Sequence, residues 1–422
     1  MIDIRILRAN PDRVRKAIEL KKFECDLEAL LEIDRLRRVL ITKAETARAE
    51  QKKANAEMAK MERDSAQFHS RLKEMKSLSQ VVKGLQAEQQ EIESKWEEKL
   101  RLVPNLPHET VPEGESEQEN LVVRSWGEPE KVSALAKPHY EIPGFDSAVD
   151  FESGTRVTGA GFPFFVGNTA RFIRALISFF LDEAMKAGYT EVHPPLLVNA
   201  ESAMATGQLP DKEKQMYELE GDRFFLIPTA EVPITNLLRG KTVQVSELPV
   251  RMCGYTPNFR REAGSYGKDV RGLNRVHQFD KVELVNWVNP ESSYNELEDL
   301  LKHVEGLLQK LELPYRVLLM CAGEIGFPHA KQYDLEVWCG GQKRWMEVSS
   351  CSNFTDFQAR RAGIRYRAEN GDFNFVHTLN GSALALPRTL AALFENNLLE
   401  NGSIRVPESL QEYFREETLT FT

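Results

Sequence analysis

Apolar side chains between residues 27 and 100 recur at steps of four and three. Leu40, Ala44, Ala47, Gln51, Ala54, Met58 and Met61 keep this spacing, and residues 27–63 contain neither Gly nor Pro. Heptad spacing without a breaker predicts one long helix with a narrow seam. A second run starts at Phe68. Phe68, Leu72 and Met75 step by four and three, then a phase slip leads to Leu78, Val82 and Leu85, and later to Ile92, Trp96 and Leu100. A short turn at 63–65 would join the runs into an antiparallel helical hairpin over about 27–100, roughly 50 Å long at 1.5 Å per residue. One seam makes a poor core and a good arm.

The flanking patterns differ. Ile2, Ile4 and Ile6 alternate with polar residues, and a short helix is predicted from about Pro11. Residues 104–135 are rich in Pro and Glu and read as a linker. Beyond them, 168–186 is an amphipathic helix with Phe172, Ile173, Leu176, Phe179, Phe180 and Met185 on its apolar face. Strand-like runs follow at 224–227, 251–255, 279–288, 315–319, 333–337 and 344–348, with helices at 293–311 and 389–399. Strands and helices that do not alternate strictly predict an α+β fold on a mainly antiparallel sheet. The expected division is 1–103 for the arm-bearing domain, 104–135 for the linker and 136–422 for the compact domain.

Composition narrows the class. A 41% hydrophobic and 28% charged content is that of an ordinary globular protein. No apolar run is long enough to span a membrane, and the acidic, signal-free start points to the cytoplasm. Five cysteines without a C-x-x-C pair read as reduced thiols, with no zinc site expected. The net charge of −9 argues against general nucleic-acid binding. The arm is the exception: residues 48–83 hold nine basic against five acidic residues. Such a run is either a solvated helix surface or a basic tip for RNA phosphates.

Residues 258–283 carry the densest chemistry. Arg260, Arg261 and Glu262 precede a Gly-rich charged loop (Gly264, Gly267, Lys268, Asp269, Arg271, Gly272), after which Val276, Phe279, Val282 and Leu284 read as a strand. Buried unpaired arginines are costly, so a site that holds them expects an anion, and phosphate suits their fork. No Walker A loop, Rossmann fingerprint or H-E-x-x-H is present. Three other clusters stand around this segment: Pro228-Thr229-Ala230-Glu231, residues 345–353 with Glu347 and Ser350, and residues 377–388 ending in Arg388. Taken singly, Thr229 to Glu231 reads as a helix cap, Glu347 as a surface strand residue, and Arg388 as a partner of Glu395 or Glu400.

In this order the four clusters resemble a class II aminoacyl-tRNA synthetase. The segment 258–283 is similar to motif 2, residues 381–396 to motif 3, and residues 188–195 to motif 1. With the helical hairpin, the whole chain resembles seryl-tRNA synthetases of the bacterial type. The resemblance implies a serine–tRNA ligase that makes seryl-adenylate from serine and ATP, then loads tRNA-Ser; loading of tRNA-Sec stays open. Its catalytic residues would be Arg260, Arg388 and Glu347. ATP would meet Arg260, Arg261, Glu262, Val276, Phe279, Glu347, Val348, Ser349, Ser350 and Arg388, with Glu262 at the adenine amino group and Phe279 stacked on the base. Glu347 and Ser350 would hold Mg²⁺, a hard ion suited to oxygen ligands. Serine would meet Thr229, Ala230, Glu231, Arg260, Glu283 and Ser382. The arm would bind the long variable arm of the tRNA, with Lys52, Lys53, Lys60, Arg63, Arg71, Lys73 and Lys76 as candidates. The 168–198 region is the expected homodimer interface.

Three positions depart from the commoner family pattern. Arg261 stands where a serine is usual, and Ala383 and Pro387 where glycines are. An added methyl at 383 is expected to narrow the room near Ser382. Two rival readings are a synthetase-like ligase for a non-tRNA acceptor, which the long hairpin disfavours, and a non-catalytic RNA-binding scaffold, which the four retained charged residues (Arg260, Glu262, Glu347, Arg388) disfavour.

Overall fold

The computed structural model describes residues 1–63, 65–132, 134–211, 214–262 and 270–421. Gly264, Gly267, Lys268 and Asp269 of the motif 2 loop lie outside the described residues. The chain divides into two compact units, Met1–Pro104 and Asn105–Thr422.

The first unit is helical. Helix α1 spans Ile4–Ala9 and α2 spans Pro11–Leu20. Of the alternating Ile2, Ile4 and Ile6, the last two therefore lie on a helix, because the Asp3 carboxylate accepts from Arg5 N and starts the first turn. Asn10 caps α2 and Pro11 takes its first position, where a missing N–H costs nothing. The arm is α3 (Leu27–Met58) and α4 (Ala66–Arg101), begun by Asp26 and Ser65 caps. Cross-helix ion pairs join Arg37 to Glu93 at 2.6 Å and Arg71 to Glu57 at 2.6 Å, as an antiparallel pair requires. Ala44, Ala47 and Ala54 are buried as the heptads predict. The second run differs. Leu72 is 38% exposed, and Arg71 takes the inward position. With Arg71 in place of Leu72 the steps run 68, 71, 75, 78, 82, 85, so α4 has no phase slip.

The second unit is built on eight strands. They are β1 (Leu121–Trp126), β2 (Thr190–Glu191), β3 (Val250–Phe259), β4 (Gln278–Val288), β5 (Tyr315–Leu319), β6 (Lys331–Cys339), β7 (Arg344–Asn353) and β8 (His377–Ala385). Their order is β1-β5-β6-β7-β8-β4-β3-β2. Every neighbouring pair is antiparallel except β2 with β3. The stretch expected to be a linker supplies β1, which pairs with β5. Its Pro and Glu content hid a strand whose apolar residues (Leu121, Val122, Val123) stay exposed.

One face of the sheet is apolar. Helix α5 (Asn168–Lys186) and α7 (Ser293–Lys310) share one buried cluster with Val282, Leu284, Leu335, Val337 and Val348. Leu297, Leu300, Leu301, Val304, Leu307 and Leu308 of α7 lie at helical spacing within it. Each such Leu contributes roughly 1.5–3 kcal/mol. Met185, expected on the apolar face of α5, is 43% exposed. Between α5 and α7 in the chain, the one-turn helix α6 spans Glu231–Thr235, and α8 (Leu386–Asn396) follows β8 directly. Strand side chains alternate. With Val282 and Leu284 in the core, Phe279, Lys281 and Glu283 face the other way, toward the site.

Candidate active site

Ten of the expected residues converge on one open cavity of about 660 Å³: Arg260, Glu262, Val276, Phe279, Glu347, Val348, Ser349, Ser350, Ser382 and Arg388. Asn274, Arg275, Lys281 and Pro387 also line it. Register explains the meeting. Phe259 pairs with Gln278 across β3 and β4, so Arg260 leaves β3 where β4 begins, one residue before Phe279. The Arg260 guanidinium stands 5.3 Å from the Phe279 ring centre, and its Nε donates to the Pro228 carbonyl at 3.2 Å. Glu262 has φ +47, a conformation that costs a non-Gly residue of order 1–3 kcal/mol. Arg275 Nη1 donates to its carboxylate at 3.0 Å.

In the same cavity, Arg388 stands in the first turn of α8, just after Pro387. Its Nη1 donates to the Glu347 carbonyl at 2.9 Å and reaches Glu347 Oε2 at 3.2 Å, while its Nε donates to the Asn274 carbonyl at 3.1 Å. Pro387 sits where its fixed φ fits the helix start. The partner of Arg388 is thus Glu347 of β7, not Glu395 or Glu400.

Arg261 goes elsewhere. It is exposed, its N–H donates to the Gln215 carbonyl, its Nε donates to the Met216 carbonyl at 3.0 Å, and its guanidinium lies 4.4 Å from the Tyr217 ring centre. Tyr217 in turn pairs its hydroxyl with His277 Nδ1 at 2.8 Å. Arg261 therefore does not line the cavity with the other arginines.

The remaining expected residues form a buried polar cluster behind Lys281. Asn380 Nδ2 donates to Glu283 Oε1 at 2.7 Å and to Glu231 Oε2 at 2.9 Å. Gln358 Nε2 donates to Glu231 Oε1 at 2.6 Å. Lys281 Nζ lies 2.5 Å from Glu283 Oε2 and donates to Thr229 Oγ1 at 2.8 Å. Burial, then the charge of Glu283, pushes the Glu231 carboxyl up to about 7. Thr229 Oγ1 accepts from Glu231 N at 3.4 Å, and Ala230 beside it is fully buried. Ser382 has its carbonyl held by Ser349 Oγ at 2.6 Å. Ala383 belongs to the hydrophobic cluster on the opposite face, so its methyl does not narrow the cavity.

Lys281, Gln358 and the side chain of Asn380 received no role in the sequence reading. Alternation carried the signal: Lys281 stands two residues from both Phe279 and Glu283, and Asn380 two from Ser382. Gln358 comes from a separate helix, Phe357–Ala362, and only the tertiary fold brings it to Glu231. Asp334 was also missed. It is cross-strand partner to Ser350, and burial followed by the Glu347 charge raises its carboxyl well above the usual range.

Glu347 and Ser350 offer oxygen donors to the same cavity, as a Mg²⁺ site needs. Glu347 Oε1 has no partner among the described residues, so the pair fits that ion. No helix among the described residues is long and apolar enough to cross a membrane.

Residues 1–107 match the family described as seryl-tRNA synthetase N-terminal domain, and residues 215–397 match tRNA synthetase class II core domain (G, H, P, S and T). A serine–tRNA ligase of Caldanaerobacter subterraneus is 47% identical over 421 residues, covering 99% of each chain. The chain belongs to the serine–tRNA ligase family. A Salinibacter ruber member is likewise 47% identical, over 98% of each chain. Among solved structures, the seryl-tRNA synthetase of Pyrococcus horikoshii complexed with ATP superposes with a TM-score of 0.92 at 31% identity, covering 100% of this chain and 99% of that one. The serine–tRNA ligase of Naegleria fowleri in complex with AMP gives 0.88 at 29%, with the same coverage. Serine–tRNA ligases thus match this chain over its full length, arm included.

Proposed function

We infer that this chain joins L-serine to tRNA in two steps at the cavity between Phe279 and Arg388. In the first, a serine carboxylate oxygen bonds to the α-phosphorus of ATP, the bond to the β-phosphate bridging oxygen breaks, and pyrophosphate leaves. In the second, a hydroxyl of the tRNA 3′ end attacks the activated carbonyl and AMP leaves. Neither step needs a protein nucleophile. Both need fixed positive charge where anions meet.

The observation that carries this reading is a cavity lined by both Arg260 and Arg388, whose Lys281 is paired with the buried Glu283 carboxylate. Arg260 holds the serine carboxylate and the α-phosphate. Phe279 stacks on the adenine with Val276 beside it, and Glu262 accepts from the adenine amino group. Val348, Ser349 and Ser350 line the phosphate path toward Arg388, which neutralises the γ-phosphate. Bound by Glu347 and Ser350, Mg²⁺ would supply charge neutralisation between phosphates. Glu231, with Thr229 and Ala230 behind it, receives the serine ammonium. Glu283 and Ser382 receive the hydroxyl, with Lys281 paired to Glu283 beside them.

The arm reads the tRNA by backbone and shape. Lys52, Lys53, Lys60, Arg63, Lys73 and Lys76 are all exposed, which supports phosphate contact. Arg71 is half-buried and held by Glu57 and Glu74, which favours a packing role instead. Val157, Phe164 and Val166 are exposed apolar residues leading into α5, and they support a homodimer through the 168–198 region. The enzyme works in the cytoplasm, and tRNA-Sec is a second acceptor to be assayed.

Serine-dependent exchange of pyrophosphate into ATP tests the reading. Exchange with serine, followed by charging of tRNA-Ser, is expected. Exchange with a different amino acid and none with serine would overturn it.

A further inference from the structure

His139 and Glu395 are both fully buried, and no step of the proposed reaction uses them. They stand far apart in sequence, His139 in the 3₁₀ turn His139–Glu141 and Glu395 near the end of α8. The His139 protonation is fixed by its partners. Leu273 N–H donates to Nε2 at 2.8 Å, so Nε2 is an acceptor and the proton is on Nδ1. Nδ1 donates to Glu395 Oε1 at 2.8 Å. Gly272 has φ +60, and a Cβ there would come 2.3 Å from His139 Nε2. The backbone at 272–273 is thus pressed directly onto the imidazole.

Glu395 collects four further bonds. His139 N donates to Oε1 at 3.1 Å and Gln342 Nε2 at 2.8 Å; Gly341 N and Gln342 N donate to Oε2 at 3.1 and 3.0 Å. Gln342 then exchanges amide bonds with Asn274, at 2.9 Å in one direction and 3.2 Å in the other. Asn274 returns to α8, since its carbonyl accepts from Arg388 Nε. Both routes from Glu395 end on residues 273–274, which line the nucleotide cavity. Arg388 and Glu395 are seven residues apart, on one face of the same helix.

We propose that His139 and Glu395 are positioning residues for the nucleotide end of the site: they fix the 272–276 wall and, through Gln342 and Asn274, set the direction of Arg388. A core-filling pair would need neither a defined tautomer nor two closed routes to the cavity. The network reaches neither Glu231 nor Glu283, so its loss acts on ATP and spares serine. This rests on the reading of the cavity as the ATP site.

Steady-state exchange kinetics of His139→Phe, His139→Asn and Gln342→Ala test it. Phe keeps the ring volume and loses both bonds. Asn can still donate to Glu395 but cannot reach Leu273. Gln342→Ala cuts only the tie to Asn274, at a half-buried site that tolerates truncation. The KM for ATP is expected to rise about tenfold or more in His139→Phe and less in Gln342→Ala and His139→Asn, with the KM for serine within about twofold in all three. Thermal stabilisation by ATP with Mg²⁺ should shrink in the same order. Equal losses for ATP and serine, or unchanged ATP parameters in folded Gln342→Ala and His139→Phe, would overturn the positioning role. Absence of exchange in the unmodified protein would instead overturn the cavity's assignment.

Discussion

Arg388 Nη1 lies 3.2 Å from Glu347 Oε2 and donates to the Glu347 carbonyl at 2.9 Å. The arginine assigned to the γ-phosphate therefore also orients the carboxylate assigned to the metal. Because its Nε is committed to Asn274, the guanidinium works as a fork with two fixed tines. Arg388→Ala is expected to lower kcat for serine-dependent exchange by about 10²–10³. Arg388→Lys should recover little of this, since an ammonium cannot meet both partners. Full activity in either variant would remove Arg388 from the mechanism.

On the proposed ammonium role of Glu231, serine binding would depend on pH. Its carboxyl is pushed up to about 7, first by burial and then by Glu283. The folded protein thus holds a proton between pH 4.5 and 7 that the unfolded chain releases, so this group's contribution to stability falls as pH rises through that window. Serine binding runs the other way, because an ammonium favours the ionised carboxylate. The KM for serine should fall as pH rises from 6 toward 7 and level off above, by up to about tenfold per unit. Glu231→Gln should raise the KM and flatten the profile. A flat profile in the unmodified enzyme would count against the ammonium assignment.

Arg261 separates from Arg260. Its bonds go to the Gln215 and Met216 carbonyls and its cation to the Tyr217 ring. Arg261→Ser should leave the KM for ATP within about twofold, whereas Arg260→Ala should lose at least about a hundredfold in kcat/KM. Comparable ATP defects in the two variants would return Arg261 to the phosphate site.

Arg71 occupies an inward position of the arm and is paired with Glu57 and Glu74. An apolar side chain there is expected to pack as well or better. Arg71→Leu should raise the melting temperature of the arm and leave tRNA charging unchanged, whereas Lys60→Ala combined with Arg63→Ala should weaken charging in a salt-dependent way. A charging loss in Arg71→Leu would make it an RNA contact.

Much of this was legible in the sequence wherever one physical signal dominated. The amphipathic period marked 168–186 as a helix, and α5 spans Asn168–Lys186. The same signal failed at Leu72, because a long arginine stem took the seam position and left the leucine outside. The alternation of Ile2, Ile4 and Ile6 named no element, and there the Asp3 cap starts a helix at Ile4. β1 was hidden because an exposed edge strand among prolines has no buried face to pattern it. At the site, arginines and carboxylates in motif order announced themselves. Lys281, Gln358 and the His139–Glu395 pair did not, since a buried polar residue reads as a surface one until its partners from distant segments are in place.

The central claim is that buried carboxylates joined through Asn380 select serine by its ammonium and hydroxyl. Amino-acid-dependent pyrophosphate exchange with serine, alanine, threonine and glycine measures it. The account predicts a kcat/KM for serine about 10⁴-fold above that for alanine, because alanine would leave Glu283 and Ser382 without the hydroxyl they are set to bind. Alanine within about tenfold of serine would contradict it.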